Sequence, residues 1–143
     1  MNGGTMKEVL VHGGADEAFD RAVVFARRLA ESFGARLHVV YTLEDPLSAG
    51  WQAEMAAERL PEVHQAIQDE ARERLARLVP LDDQVRLGVE LVILTGPAEQ
   101  EVVRYVTEHP IDLAIVHAPP GDSHTGLARA LLARARCAVL VLR

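Results

Sequence analysis

Residues 7–43 read KEVLVHGGADEAFDRAVVFARRLAESFGARLHVVYTL. The two ends of this stretch, Lys7 to Gly13 and Arg36 to Leu43, are short runs rich in Val and Leu, the pattern of strands buried on both faces. Between them, Asp16 to Phe33 sets Phe19, Ala22, Phe25, Ala26, Leu29 and Phe33 at helical spacing on one predicted inner face, and Gly34 stops the run. Acids at its start (Asp16, Glu17, Asp20) and Arg27 and Arg28 further on suit a helix dipole. Strand, helix, strand in immediate succession is the unit of a parallel sheet, because parallel neighbours need a crossover between them.

The same alternation continues to the end of the chain. A loop from Glu44 through Trp51 leads to two helical pieces separated at Pro61, since proline is tolerated in a first helical turn but not inside a helix. The second piece carries Val63, Ile67, Ala71, Leu75 and Leu78 on one stripe and ends at Pro80. Gln84 to Thr95 contains a third strand, strongest at Val89 to Leu94. Gly96-Pro97 opens a helix with Val102, Tyr105 and Val106 inward, and Asp112 to His117 is a fourth strand. A Pro/Gly turn over Ala118 to Ser123, a short helix from Thr125 to Ala135 and a fifth strand, Ala138 to Leu142, complete the chain. Doubly apolar strands alternating with helices predict an α/β fold with a parallel sheet covered on both sides.

The chain has 143 residues, ordinary for one domain, and residues 1–143 are read as a single unit. Hydrophobic residues make up 49% but aromatic residues only 4%, which predicts an aliphatic core and disfavours a base-stacking platform for single-stranded nucleic acid. With 15 basic and 21 acidic residues the net charge is −6, so there is no net basic footprint for a phosphate backbone. The single cysteine, Cys137, excludes an intrachain disulfide and fits a reducing compartment; it is read as a structural thiol. No apolar run approaches the roughly 18 residues of a membrane span, and no signal-peptide pattern precedes the first strand. The expectation is a cytoplasmic protein with neither nucleic acid nor membrane as partner.

Three stretches together resemble the universal stress protein family: the opening VLVHGGADEAFDRAVVFARRLAESFGARLHVVYTL, the middle LVILTGPAEQEVVRYVTEHPIDLAIVH and the closing ARCAVLVLR. The resemblance implies a flavodoxin-like, Rossmann-like, doubly wound sheet of five parallel strands in the order 3-2-1-4-5. It further implies a homodimer joined through the last strand and a stress-linked role without settled chemistry.

Nucleotide-binding members of that family carry an Asp at the end of the first strand, then a small residue and Ser. Aligned on Ala22, this chain has Gly14, Ala15 and Asp16 at those places. They also carry a glycine pair after the fourth strand and, beyond a loop, Gly-Ser or Gly-Thr at a helix start, where backbone N–H groups approach phosphates. The matching stretch here is HAPPGDSHTG: His117 stands near the first glycine, Pro120 or Gly121 near the second, and Thr125-Gly126 where Gly-Ser would fall. Pro119 and Pro120 have no N–H to donate. The resemblance thus places a candidate crevice at Gly13, Gly14, Asp16, His117, Gly121, Thr125 and Gly126, with no cofactor expected. In the alternative, ATP binds through a modified phosphate loop in which Asp16, Gly13, Thr125 and Gly126 replace the lost motif.

In a parallel sheet ligands sit beyond the carboxyl ends of strands where the strand order reverses. For the order 3-2-1-4-5 that is between the first and fourth strands, which end near His12 and His117. Titrating near neutral pH, these imidazoles would recognise a small anion once protonated. A Zn-type site at His12, His117 and His124, and with it a metal-dependent enzyme, is the further alternative; no HExxH or CxxC spacing supports it. Asp122, Ser123 and His124 adjoin in sequence without a GxSxG nucleophile elbow and are read as loop residues. His38 is read as a satisfied sheet-face residue, and Trp51 as packing on its own helix rather than as a lid. The function this supports is a non-catalytic, stress-response binding or regulatory module.

Overall fold

A computed structural model describes residues 6–13, 17–43, 50, 52–118 and 126–143, with the side chain of residue 56 excepted. The elements in chain order are β1 (Glu8–Gly13), α1 (Glu17–Phe33), β2 (Arg36–Leu43), α2 (Ala53–Leu78), α3 (Leu81–Arg86), β3 (Glu90–Thr95), α4 (Ala98–Glu108), β4 (Leu113–His117), α5 (Gly126–Arg134) and β5 (Ala138–Leu142). All five strands pair in parallel, in the order β3-β2-β1-β4-β5. Both the strand order and the doubly wound class are those expected.

Alternation along the strands divides the core into two layers. Val9 and Val11 of β1, Val39 and Tyr41 of β2 and Ile115 of β4 face α1 and α2, where Phe19, Ala22, Ala26 and Leu75 meet them. Leu10, Val40, Ala114 and Val116 point the other way, onto Val102 and Tyr105 of α4 and Leu131 of α5. The central strands are buried on both faces, while β3 and β5, at the edges, are half-buried.

Two local readings are corrected. The inner face of α1 runs through Phe19, Ala22, Val23, Ala26 and Ala30, leaving Phe25 and Phe33 exposed at 40% and 49%. Small residues let the helix lie close to the sheet, and Phe25 sits a full residue step, 100°, round from Ala26. Pro61 does not divide the next segment: α2 is one helix with the proline inside it. Pro61 and Ala57, whose carbonyl loses its helical donor, are both exposed, so water can serve that oxygen. The third strand lies within Gln84 to Thr95 as expected, at Glu90–Thr95, and is preceded by the short helix α3 and by Gly88, which turns the chain at φ +59°.

His38 is buried, at 2% exposure, but only half satisfied. Its Nδ1 lies 2.8 Å from the Tyr105 hydroxyl, whereas Nε2 faces the Glu8 carboxylate at 3.5 Å and neither of these facing atoms has a hydrogen-bond partner. Burial holds its pKa below the ordinary value against the raising effect of Glu8 and, more weakly, Glu90. Cys137 is half-buried and its thiol is pushed up by that burial, which keeps it protonated and unreactive. Among the described residues, no helix is long and apolar enough to cross a membrane.

Candidate functional site

From β1 the chain proceeds to β2 on one side of the sheet, and from β4 to β5 on the other. The carboxyl ends of β1 and β4 are therefore the place where crossovers part and leave an opening. A crevice of about 390 Å³ lies there, within the size range of small-molecule sites. His12 comes from β1, and Val116, His117 and Ala118 from the end of β4. Its other walls are the start of α4 (Pro97, Ala98, Glu99) and the first turn of α5 (Gly126, Leu127, Ala128).

Each wall has a local cause. The Ala118 N–H donates to the Leu142 carbonyl at 2.8 Å, carrying the β4–β5 ladder up to the crevice and holding His117 at its rim. On α4, Pro97 is the N-cap, and its carbonyl accepts the N–H groups of Gln100 and Glu101. Gly96, at φ +130°, turns the chain from β3 into that cap, a conformation that glycine adopts without a Cβ penalty. Glu101 turns back to pair with Arg104. Glu99, two residues earlier, reaches across to α5 instead: a Cβ built on Gly126 would collide with Glu99 Oε1.

His12 is tied to the neighbouring strand β2. Its Nε2 is hydrogen-bonded to Thr42 Oγ1 at 2.9 Å, and burial pushes its pKa down to about 4. That burial favours the neutral imidazole. His117 lines the same crevice, half-buried. Gly126 lies at the start of α5 as expected, but Gly13 does not line the opening. A Cβ there would run into the Phe19 ring, so its bare backbone serves the packing of α1.

Gly14, Asp16, Gly121, His124, Thr125 and Trp51 lie outside the described residues. Among the described residues, no three His, Cys, Asp or Glu side chains come together as a metal site. Sequence reasoning did not single out Glu99, Pro97 and Ala98 as crevice residues. Glu99 reads as one of two acids in a helix's first turn, and only the packing of α4 against α5 turns it toward the opening.

A model of the universal stress protein family matches residues 6–143. The chain belongs to the universal stress protein family. No curated protein sequence gives a significant match. Among solved structures, universal stress protein UspA from Lactobacillus plantarum superposes with a TM-score of 0.75 at 19% identity, covering 96% of this chain and 97% of that one. A universal stress protein in complex with cAMP gives 0.64 at 19% identity, over 97% of this chain and 98% of that one. The universal stress protein from Archaeoglobus fulgidus in complex with dAMP gives 0.61 at 18%, over 96% and 98%. At these identities the likeness shows the fold, with the five-stranded order described above.

Proposed function

We propose that this universal stress protein is a non-catalytic binding and regulatory module, acting in the cytoplasm as a homodimer paired through β5. Its crevice would take a small uncharged ligand and would not hold ATP by its phosphates in the usual way. The observation that carries this reading is the crevice's charge. Among its described lining residues there is no Lys or Arg, His12 is neutral, and the one acid is Glu99. Phosphate sites are built from cations and backbone donors, and Pro119 and Pro120, which follow β4 in sequence, supply no N–H. That set of groups favours an uncharged ligand over a triphosphate.

The dimer reading rests on topology. β5 is an edge strand carrying Val139, Leu140, Val141 and Leu142, and an open edge of this kind invites a second copy. The second functional reading, a nucleotide-binding member with a modified phosphate loop, is favoured by the related structures that hold cAMP and dAMP.

Titration of isotopically labelled protein with adenosine and with ATP tests the assignment. Adenosine is expected to move the amide resonances of Ala98, His117, Gly126 and Leu127, with ATP far weaker. Silence at these amides with both ligands would contradict the proposed site.

A further inference from the structure

We propose that Glu99 makes the crevice discriminate against phosphate, by setting the chain's own carboxylate at the α5 N-terminus where a ligand anion would otherwise lie. The inference rests on the crevice being the ligand site, as proposed above, and names the residue that fixes its selectivity.

Three observations converge on it. First, Glu99 Oε1 and Cδ lie against the α carbon of Gly126, so closely that any side chain at that position would displace them. Gly126 is the first residue of α5, where unpaired N–H groups and the helix dipole favour negative charge. Second, among the described residues α5 has no acid in its first turn, and the carboxylate set against this end comes from α4. Third, no cation among the described residues neutralises Glu99. Its neighbour Glu101 pairs with Arg104, but among the described residues no Arg, Lys or His pairs with Glu99.

The consequence follows from charge alone. An incoming phosphate must displace the carboxylate or lie beside it, and like charges at such separations repel. A ligand without phosphate meets neither cost. Glu99 is also exposed, so replacing it leaves the core untouched.

Calorimetric titration of adenosine, AMP and ATP into wild-type protein, Glu99→Gln and Glu99→Ala tests this. Both variants are expected to bind AMP and ATP at least about tenfold more tightly than wild type, equivalent to 1.4 kcal/mol, with adenosine changed by less than about threefold. Unchanged AMP and ATP affinities in both variants, with adenosine still bound, would overturn the role of Glu99. A gain confined to Glu99→Gln would overturn it too, because the new carboxamide donor and not the lost charge would then be responsible. If neither wild type nor variants bind any of the three, the crevice reading itself fails and takes the inference with it.

Discussion

His12 of β1 and Thr42 of β2 are hydrogen-bonded at 2.9 Å across neighbouring strands, directly behind the crevice. This bond fixes the imidazole in a place where water has little access, and burial lowers its pKa from 6.5 to about 4. The folded protein therefore resists protonating a group that the unfolded chain protonates readily. The stabilisation is fully present above pH 6.5 and is lost as pH falls toward 4. The loss should amount to roughly 2–3 kcal/mol. Urea unfolding across that pH range should show it, and His12→Gln should flatten the profile. An equally steep acid dependence in the variant would assign the effect to other groups.

The buried group around His38 makes a second prediction. Tyr105→Phe removes the hydroxyl bonded to His38 Nδ1 at 2.8 Å, on a ring whose neighbour His38 already has an unpartnered Nε2. Leaving a second buried ring nitrogen unpaired should cost about 1–2 kcal/mol. The denaturation midpoint should fall with the urea m-value unchanged. An unaltered midpoint would show that this bond contributes nothing.

At the end of β1, Gly13 and Phe19 are in forced proximity, since a Cβ on Gly13 would enter the Phe19 ring. Gly13→Ala is expected to destabilise by roughly 1–3 kcal/mol through overpacking. Phe19→Leu also loses the edge-to-face contact with Tyr41, whose ring centroid is 4.8 Å away. In a double-mutant cycle the two changes should be less than additive, because the smaller side chain relieves the clash. Strict additivity would mean that the two positions do not meet.

The dimer has a clean test in the register of β5. Ala138 N–H donates to Asp112 O, and Leu142 O accepts from Ala118 N–H, so Ala138, Leu140 and Leu142 turn their backbone groups toward β4. In a parallel ladder the intervening residues, Val139 and Val141, then point theirs outward. Val141→Pro removes an outward donor and spares the internal ladder. Sedimentation should find a wild-type dimer at micromolar concentration and a folded monomer for Val141→Pro. A wild-type monomer would rule out pairing through this edge.

How much of this the sequence foretold depends on how local each cause is. The strands were legible because Val9–Val11, Val39–Tyr41 and Leu113–Val116 are apolar on both faces, a pattern few other settings allow. Their order came from the family resemblance, and hydrogen bonding across the sheet agrees with it. Position-specific readings failed where tertiary context decides. Phe25 looks like a core residue, yet small Ala26 and Ala30 carry the contact instead. Pro61 is a strong breaker signal, yet the exposed face of α2 tolerates it. The candidate site was half legible: His12, His117 and Gly126 end or begin elements that the strand order brings together. Glu99 was not, because the contact across to Gly126 exists only once α4 and α5 are packed side by side.

Native mass spectrometry of the purified protein, with and without added ATP, tests the central claim most directly. The account predicts a dimer that carries no nucleotide as purified and retains none when ATP is supplied at micromolar concentration. A dimer holding one ATP per protomer would contradict it.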